Sequence, residues 1–103
     1  MNEIELPEPI EFEWDESNQT KIRLKHGLTL LEAEQPFANK YAIILDYKHS
    51  IVERRYQLVG TSNTGKVLFI VFTIRKSKIR IISARSASKK ERMYYAKEVK
   101  KAA

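Results

Sequence analysis

The chain contains no cysteine. A disulfide framework, thiolate zinc sites, iron–sulfur clusters and a cysteine nucleophile are all excluded, and the composition fits a reducing compartment. Glycine is nearly as scarce. Gly27, Gly60 and Gly65 are the only three in 103 residues and lie far apart, so no glycine-rich loop is available to cradle a nucleotide phosphate. His26 and His49 are the only histidines and have neither His-x-x-x-His spacing nor clustered carboxylates beside them. That argues against a metal centre, and no metal or other cofactor is expected. Asp46, His49 and Ser50 are too close in sequence for triad geometry, and no nucleophile-elbow motif surrounds the serine. The longest apolar run, Val67 to Phe72, is far short of the ~20 residues of a membrane span. Met1-Asn2-Glu3-Ile4-Glu5 is acidic where an export signal would be basic. A cytoplasmic protein with no membrane partner is expected.

Basic residues are missing from the first twenty positions, which hold seven acidic side chains. The rest of the chain reverses the balance. Residues 21–103 carry 19 Lys and Arg against six Asp and Glu, and residues 75–101 alone hold eleven against two. The net charge is +6. A basic field of this kind attracts polyanions, nucleic acid foremost. With 43% apolar and 10% aromatic residues the chain can bury a core, and its length suits one domain.

Residues 1–9, with Pro7 and Pro9, read as an acidic extended lead-in, and residues 10–103 as a single domain. Its Glu3, Glu5 and Glu8 either stay solvated or lie over the basic surface as a polyanion mimic. Ile10 to Trp14 alternates as a half-buried strand does. Asp15 caps a helix running to Lys25-His26, which Gly27 stops in a left-handed conformation. Thr29-Leu30-Leu31-Glu32 is a capping box opening a second short helix to about Pro36. The two form a helical hairpin over Trp14, Ile22, Leu28, Leu31 and Phe37. Strands follow at Tyr41–Tyr47, at Glu53–Thr61 with Glu53, Arg55 and Gln57 on one face, and at Val67–Phe72, apolar on both faces as an interior strand is. A basic turn at Arg75–Lys78 leads to a strand at Ile79–Ala84. Ser88-Lys89-Lys90-Glu91 is a second capping box, opening a helix to about Lys101 with Met93, Tyr95, Ala96 and Val99 near one stripe. The order β-α-α-β-β-β-β-α implies an α+β domain with a mainly antiparallel sheet.

Arg55, Arg75, Arg80 and Arg85 stand on strands or strand ends, where guanidinium forks suit phosphate oxygens. Arg80, flanked by Ile79, Ile81 and Ile82, must snorkel, face a cleft or pair with a carboxylate, Glu53 or Glu91. Glu53 and Arg55 form either a structural ion pair or a general base beside a phosphate clamp. His26 at a helix C-terminus has its imidazolium favoured. Tyr95 is a core candidate, whereas Tyr94 is free to stack on a base.

Phe12-Glu13-Trp14-Asp15, Lys25-His26-Gly27, then Glu32-Ala33 and Phe37 resemble the opening half of the BrnT family of bacterial toxins. Glu53-x-Arg55 ahead of Gly60, then Arg80-Ile81-Ile82-Ser83-Ala84-Arg85-x-Ala87 and Glu91-Arg92 before a tyrosine, resemble its closing half. The resemblance spans about residues 10–95; the family's usual Asn and Lys are replaced here by Ile22 and Asn18. It implies a RelE-like fold, metal-independent ribonuclease activity and neutralisation by a BrnA-type antitoxin in a hetero-oligomer. The matching site positions are His26, Glu53, Arg55, Arg80 and Arg85. Lys25, Arg75, Lys78 and Tyr94 are the expected RNA contacts. The expected reaction is attack of a ribose 2′-hydroxyl on the adjacent phosphodiester, blocking translation. The rival functions are a non-catalytic RNA- or DNA-binding module and a protein whose basic face only binds an antitoxin.

Overall fold

A computed structural model describes residues 4–16, 27–46, 48 and 52–102. The interior strand expected at Val67–Phe72 organises it. Strand β3 (Val67–Arg75) lies between β2 (Tyr56–Thr61) and β4 (Lys78–Ser86), and β1 (Tyr41–Leu45) adds outside β2. The sheet runs β1-β2-β3-β4 with every pairing antiparallel. Helix α1 (Leu30–Glu34) continues into a 3-10 turn at Gln35–Ala38 before the sheet, and α2 (Lys89–Ala102) follows it. The protein is thus α+β with a four-stranded antiparallel sheet.

Both capping boxes form. The Thr29 hydroxyl accepts from the Glu32 amide at 3.1 Å while Glu32 accepts from the Thr29 amide at 3.0 Å. Ser88 and Glu91 repeat the exchange at 3.2 and 2.8 Å. Gly27 is left-handed with φ +64°, the conformation expected of it. The helix expected between Asp15 and Lys25, and with it the helical hairpin, lies almost wholly outside the described residues. The β3–β4 hairpin turns on Lys76 and Ser77, both at positive φ (53° and 64°), so two residues suffice and the turn matches the strand twist.

One face of the sheet carries the core. Leu58, Leu68, Ile70, Phe72, Ile79, Ile81 and Ala84 pack there beneath Leu28, Ala33 and Phe37. Phe37 meets Phe12 and Phe72 edge-on at centroid distances of 5.2 and 5.1 Å. Leu6 of the acidic lead-in packs against this core, and the lead-in and Tyr41 line a common surface hollow.

Four expectations need correction. Ile10–Trp14 is not a full strand. It makes one parallel bridge, Phe12 to Ile79, in which Glu13 donates to the Ile79 carbonyl and Ile79 donates to Glu11, both at 2.8 Å. Pro9 has no N–H to extend the ladder backward, and the chain is already helical at Glu16. Glu53 and Arg55 precede β2 instead of sharing its face, because the chain bends at 52–53 and the Arg54 carbonyl accepts from the Thr73 hydroxyl at 2.6 Å. Leu31 is 65% exposed while Ala33 is fully buried; two helical positions are ~200° apart, so Ala33 facing the sheet turns Leu31 outward. The same rotation exposes Met93, since α2 turns Glu91, Tyr95 and Val99 toward the sheet.

Gly60 is where the 3-10 turn comes closest to the sheet. A Cβ there would lie 3.1 Å from the Lys40 carbonyl oxygen and from the Cβ atoms of Pro36 and Tyr41. None of the three is the flexible end of a side chain. Gly60→Ala is therefore expected to destabilise the fold by about 1–3 kcal/mol, read as a fall in thermal midpoint. An unchanged midpoint would show that the turn yields freely.

Candidate nucleic-acid interface

The opposite face of the sheet depends on an irregularity in β4. Ser83 pairs with Val71, but Ile81 pairs with Phe72, so Ile82 is an extra residue. In an unbroken strand Arg80 and Arg85, five positions apart, would point to opposite faces. The bulge absorbs one residue. Arg80 then pairs with Thr73 and Arg85 with Phe69, an even separation on β3, and both arginines share the face away from the core. Ala42 and Ile44 of β1, Gln57 and Val59 of β2, and Phe69 and Val71 of β3 share it too by register.

At the hairpin end, Arg80 is held by carboxylates of the N-terminal arm. It donates to Glu13 at 3.3 Å and to Asp15. The arm is anchored by Phe12 in the core and by the Trp14 indole, whose Nε1 donates to Glu34 at 2.7 Å. Hydrogen bonding to Asp15 outweighs partial burial and raises the Arg80 pKa further, so the guanidinium stays charged. The expected partners of Arg80, Glu53 and Glu91, are taken elsewhere. Glu53 binds Arg75 at 3.1 Å, and Arg55, half-buried, is also engaged. Lys78 is exposed at the same hairpin. Sequence reasoning missed Glu13 and Asp15. The signal was present: alternation sets both on one face of a segment devoid of cations, so a guanidinium had to come from elsewhere in the fold.

Arg85 stands at the other end. It grips Glu91 of α2 through two hydrogen bonds of 2.8 Å, and its Cζ lies 4.3 Å from the Phe69 ring centroid. Burial pushes the Glu91 carboxyl up, but hydrogen bonds from Arg85 and the Ser88 amide prevail and hold it below its usual range. Beside this pair, α2 and the sheet enclose a cleft of about 360 Å³. Ile44, Val59 and Phe69 form its floor with Gln57, and Lys90 and Tyr94 its wall. Burial and the nearby Glu98 raise the Tyr94 pKa against the opposing Lys101, keeping the phenol protonated.

The structure thus gathers Glu53, Arg75, Lys78 and Arg80 at the hairpin end and places Arg85 and Tyr94 at the α2 end. The two arginines' partners stand four positions apart on β3, or about 14 Å at ~3.4 Å per residue. His26 and Lys25 lie outside the described residues. Among the described residues, no helix is long and apolar enough to cross a membrane.

Residues 14–91 match a family model described as the ribonuclease toxin BrnT of a type II toxin–antitoxin system. The match begins at the Trp14 anchor and ends at Glu91, enclosing the whole sheet. No curated protein matches the chain.

The Arg85–Glu91 pair gives a pH signature. A carboxyl held below its usual range contributes stability at pH values above the ordinary carboxylate range and loses it as pH falls through its folded-state value. Glu91→Gln is expected to cost about 1 kcal/mol at pH 7, a charge-assisted hydrogen bond reduced for partial exposure. The gap from wild type should close in acid, as measured by urea melts across pH. A gap independent of pH would deny the pair this role.

Proposed function

The chain belongs to the BrnT family of ribonuclease toxins of type II toxin–antitoxin systems, and on that premise we propose that it is a metal-independent endoribonuclease that inhibits translation by cutting RNA. The observation that carries this reading is the bulge at Ile82, which sets two guanidinium forks on one partly apolar sheet face. In the proposed reaction the ribose 2′-oxygen attacks the adjacent phosphorus. The 2′-O–P bond forms as the P–O5′ bond breaks, leaving a cyclic phosphate and a 5′-hydroxyl. The 2′-hydroxyl proton goes to a base, and the departing 5′-oxygen takes one from an acid.

Arg80 stabilises the charge that develops on the phosphorane. Glu53, or His26, moves the proton, and Arg55 positions the strand. Arg85, about 14 Å along the face, holds another phosphate of the same strand and adds to the same positive field. Lys25, Arg75 and Lys78 guide the backbone. A 2′-hydroxyl that is itself a reactant makes the enzyme specific for RNA. The antitoxin is a BrnA-type protein that forms a hetero-oligomer with this chain, which works in the cytoplasm.

Induced expression without antitoxin should arrest growth. Arg80→Ala or Arg85→Ala should relieve the arrest with the circular dichroism spectrum intact, because each loses a charged hydrogen bond of ~1.5–3 kcal/mol, about ten- to hundredfold in rate. Two fully toxic variants would refute the assignment. A harmless wild type that cuts no RNA in an extract would refute the nuclease reading.

Three to five phosphate contacts with a single strand predict a slope of log affinity against log salt near −2 to −3.5. A flat response in fluorescence anisotropy would favour a face that only binds the antitoxin.

A further inference from the structure

We propose that the cleft between α2 and the sheet is a nucleobase pocket, and that Gln57 reads the edge of the base it holds. The inference rests on the RNA-cleaving reading above and assigns to it a specificity residue. Its volume, about 360 Å³, lies in the range of small-ligand sites and exceeds what a purine needs. The floor of Ile44, Val59 and Phe69 is apolar, as the face of a base requires. Two polar heads converge on it without partners. Neither the Gln57 side-chain amide nor the Tyr94 hydroxyl makes a hydrogen bond among the described residues. A half-buried amide in an open cleft is served by water, and a base that enters can take over those hydrogen bonds.

The chemistry of the wall favours a base over a plain apolar ligand. Tyr94 lines the cleft and is 39% exposed, so its ring offers an accessible stacking surface. Lys90 beside it supplies a cation for the phosphate that accompanies a base. Arg85, which leans over the lining residue Phe69 at 4.3 Å and is held by the lining carboxylate of Glu91, puts a second cation beside the cleft. A glutamine amide offers a donor and an acceptor side by side, the set that pairs in two-point fashion with N6 and N7 of adenine. The ligand is therefore one unstacked nucleobase of a single-stranded RNA, adenine preferred, seated while Arg85 holds its phosphate. A peptide of the antitoxin is the competing occupant; the cations Lys90 and Arg85 favour a ligand that brings a phosphate with it.

The test uses the full chain and hexaribonucleotides whose riboses are all 2′-methoxy, so that binding is read without cleavage. One position at a time is adenine, guanine, cytosine, uracil or abasic in an otherwise uracil strand. For wild type, one position should lose about tenfold or more in affinity when abasic and should favour adenine. Gln57→Leu should abolish the preference among bases, and Tyr94→Ala should shrink the abasic penalty, with the salt slope unaltered in both. Equal affinity for abasic and base-bearing strands in wild type would overturn the pocket while leaving the phosphate-binding face in place. No binding of any strand would instead count against the RNA reading itself, and with it the pocket. If both variants bind RNA as wild type does but lose antitoxin in a pull-down, the cleft belongs to the antitoxin and the proposal is wrong. Thermal melts of both variants show whether each is folded; should Gln57→Leu unfold, Gln57→Glu, which reverses one hydrogen-bonding group, should move the preference away from adenine.

Discussion

The single extra residue at Ile82 governs what this sheet presents. Without it the core alternation of β4 and the placement of the two arginines are incompatible. Ile79 and Ile81 face inward before the bulge and Ala84 faces inward after it. A continuous strand that buried Ile79 and Ile81 would send Arg85 into the core and Ala84 out to solvent. Burying a guanidinium there would cost several kcal/mol of desolvation. Hydrophobic burial on one face and cationic display on the other are therefore met together only by breaking the register, and the break sits between the two arginines.

Electrostatics then tie distant parts of the chain to that face. The first twenty residues carry acid alone and the later ones mostly base; the Arg80 pairs join the two parts, and the other pairs form within the later one. Glu13 and Asp15 reach Arg80, Glu53 reaches Arg75, and Glu91 reaches Arg85. These pairs are partly exposed, so each contributes little to stability. Their larger effect is to orient the forks and to keep cations crowded along one face from repelling each other. Under the proposed function, an RNA phosphate arriving at such a fork would meet a guanidinium already charged and already aimed, at the cost of sharing it with a carboxylate.

Much of this was legible in the residues, and the losses have specific causes. Both capping boxes, the left-handed Gly27 and the all-apolar interior strand carry their signals within a few positions, and each formed where expected. The basic turn at Arg75–Lys78 was equally local. Ion partners were not. Arg80 meets Glu13 and Asp15 across more than sixty residues, through a parallel bridge that no local pattern encodes, whereas Glu53 and Glu91 are nearer in sequence. The bulge was hidden because Ile81 and Ile82 are both apolar and either would serve as the inward residue. Leu31 and Met93 failed for a different reason: in short or amphipathic helices a shift of two positions inverts the face, and apolar identity alone does not set the phase. The cleft beside Gln57 draws on all three of β1, β2 and β3 with α2, and emerges only when the sheet is assembled.

The central claim is that this sheet face cuts RNA through the 2′-hydroxyl of its own substrate. It is tested most directly with an oligodeoxynucleotide carrying ribose at a single internal position, incubated with the purified protein in a chelator and examined by mass spectrometry. The account predicts scission only after the ribose, with a 2′,3′-cyclic phosphate on one product and a 5′-hydroxyl on the other, and loss of both with Arg80→Ala. Cleavage of the all-deoxy strand, or products ending in a 5′-phosphate, would contradict it.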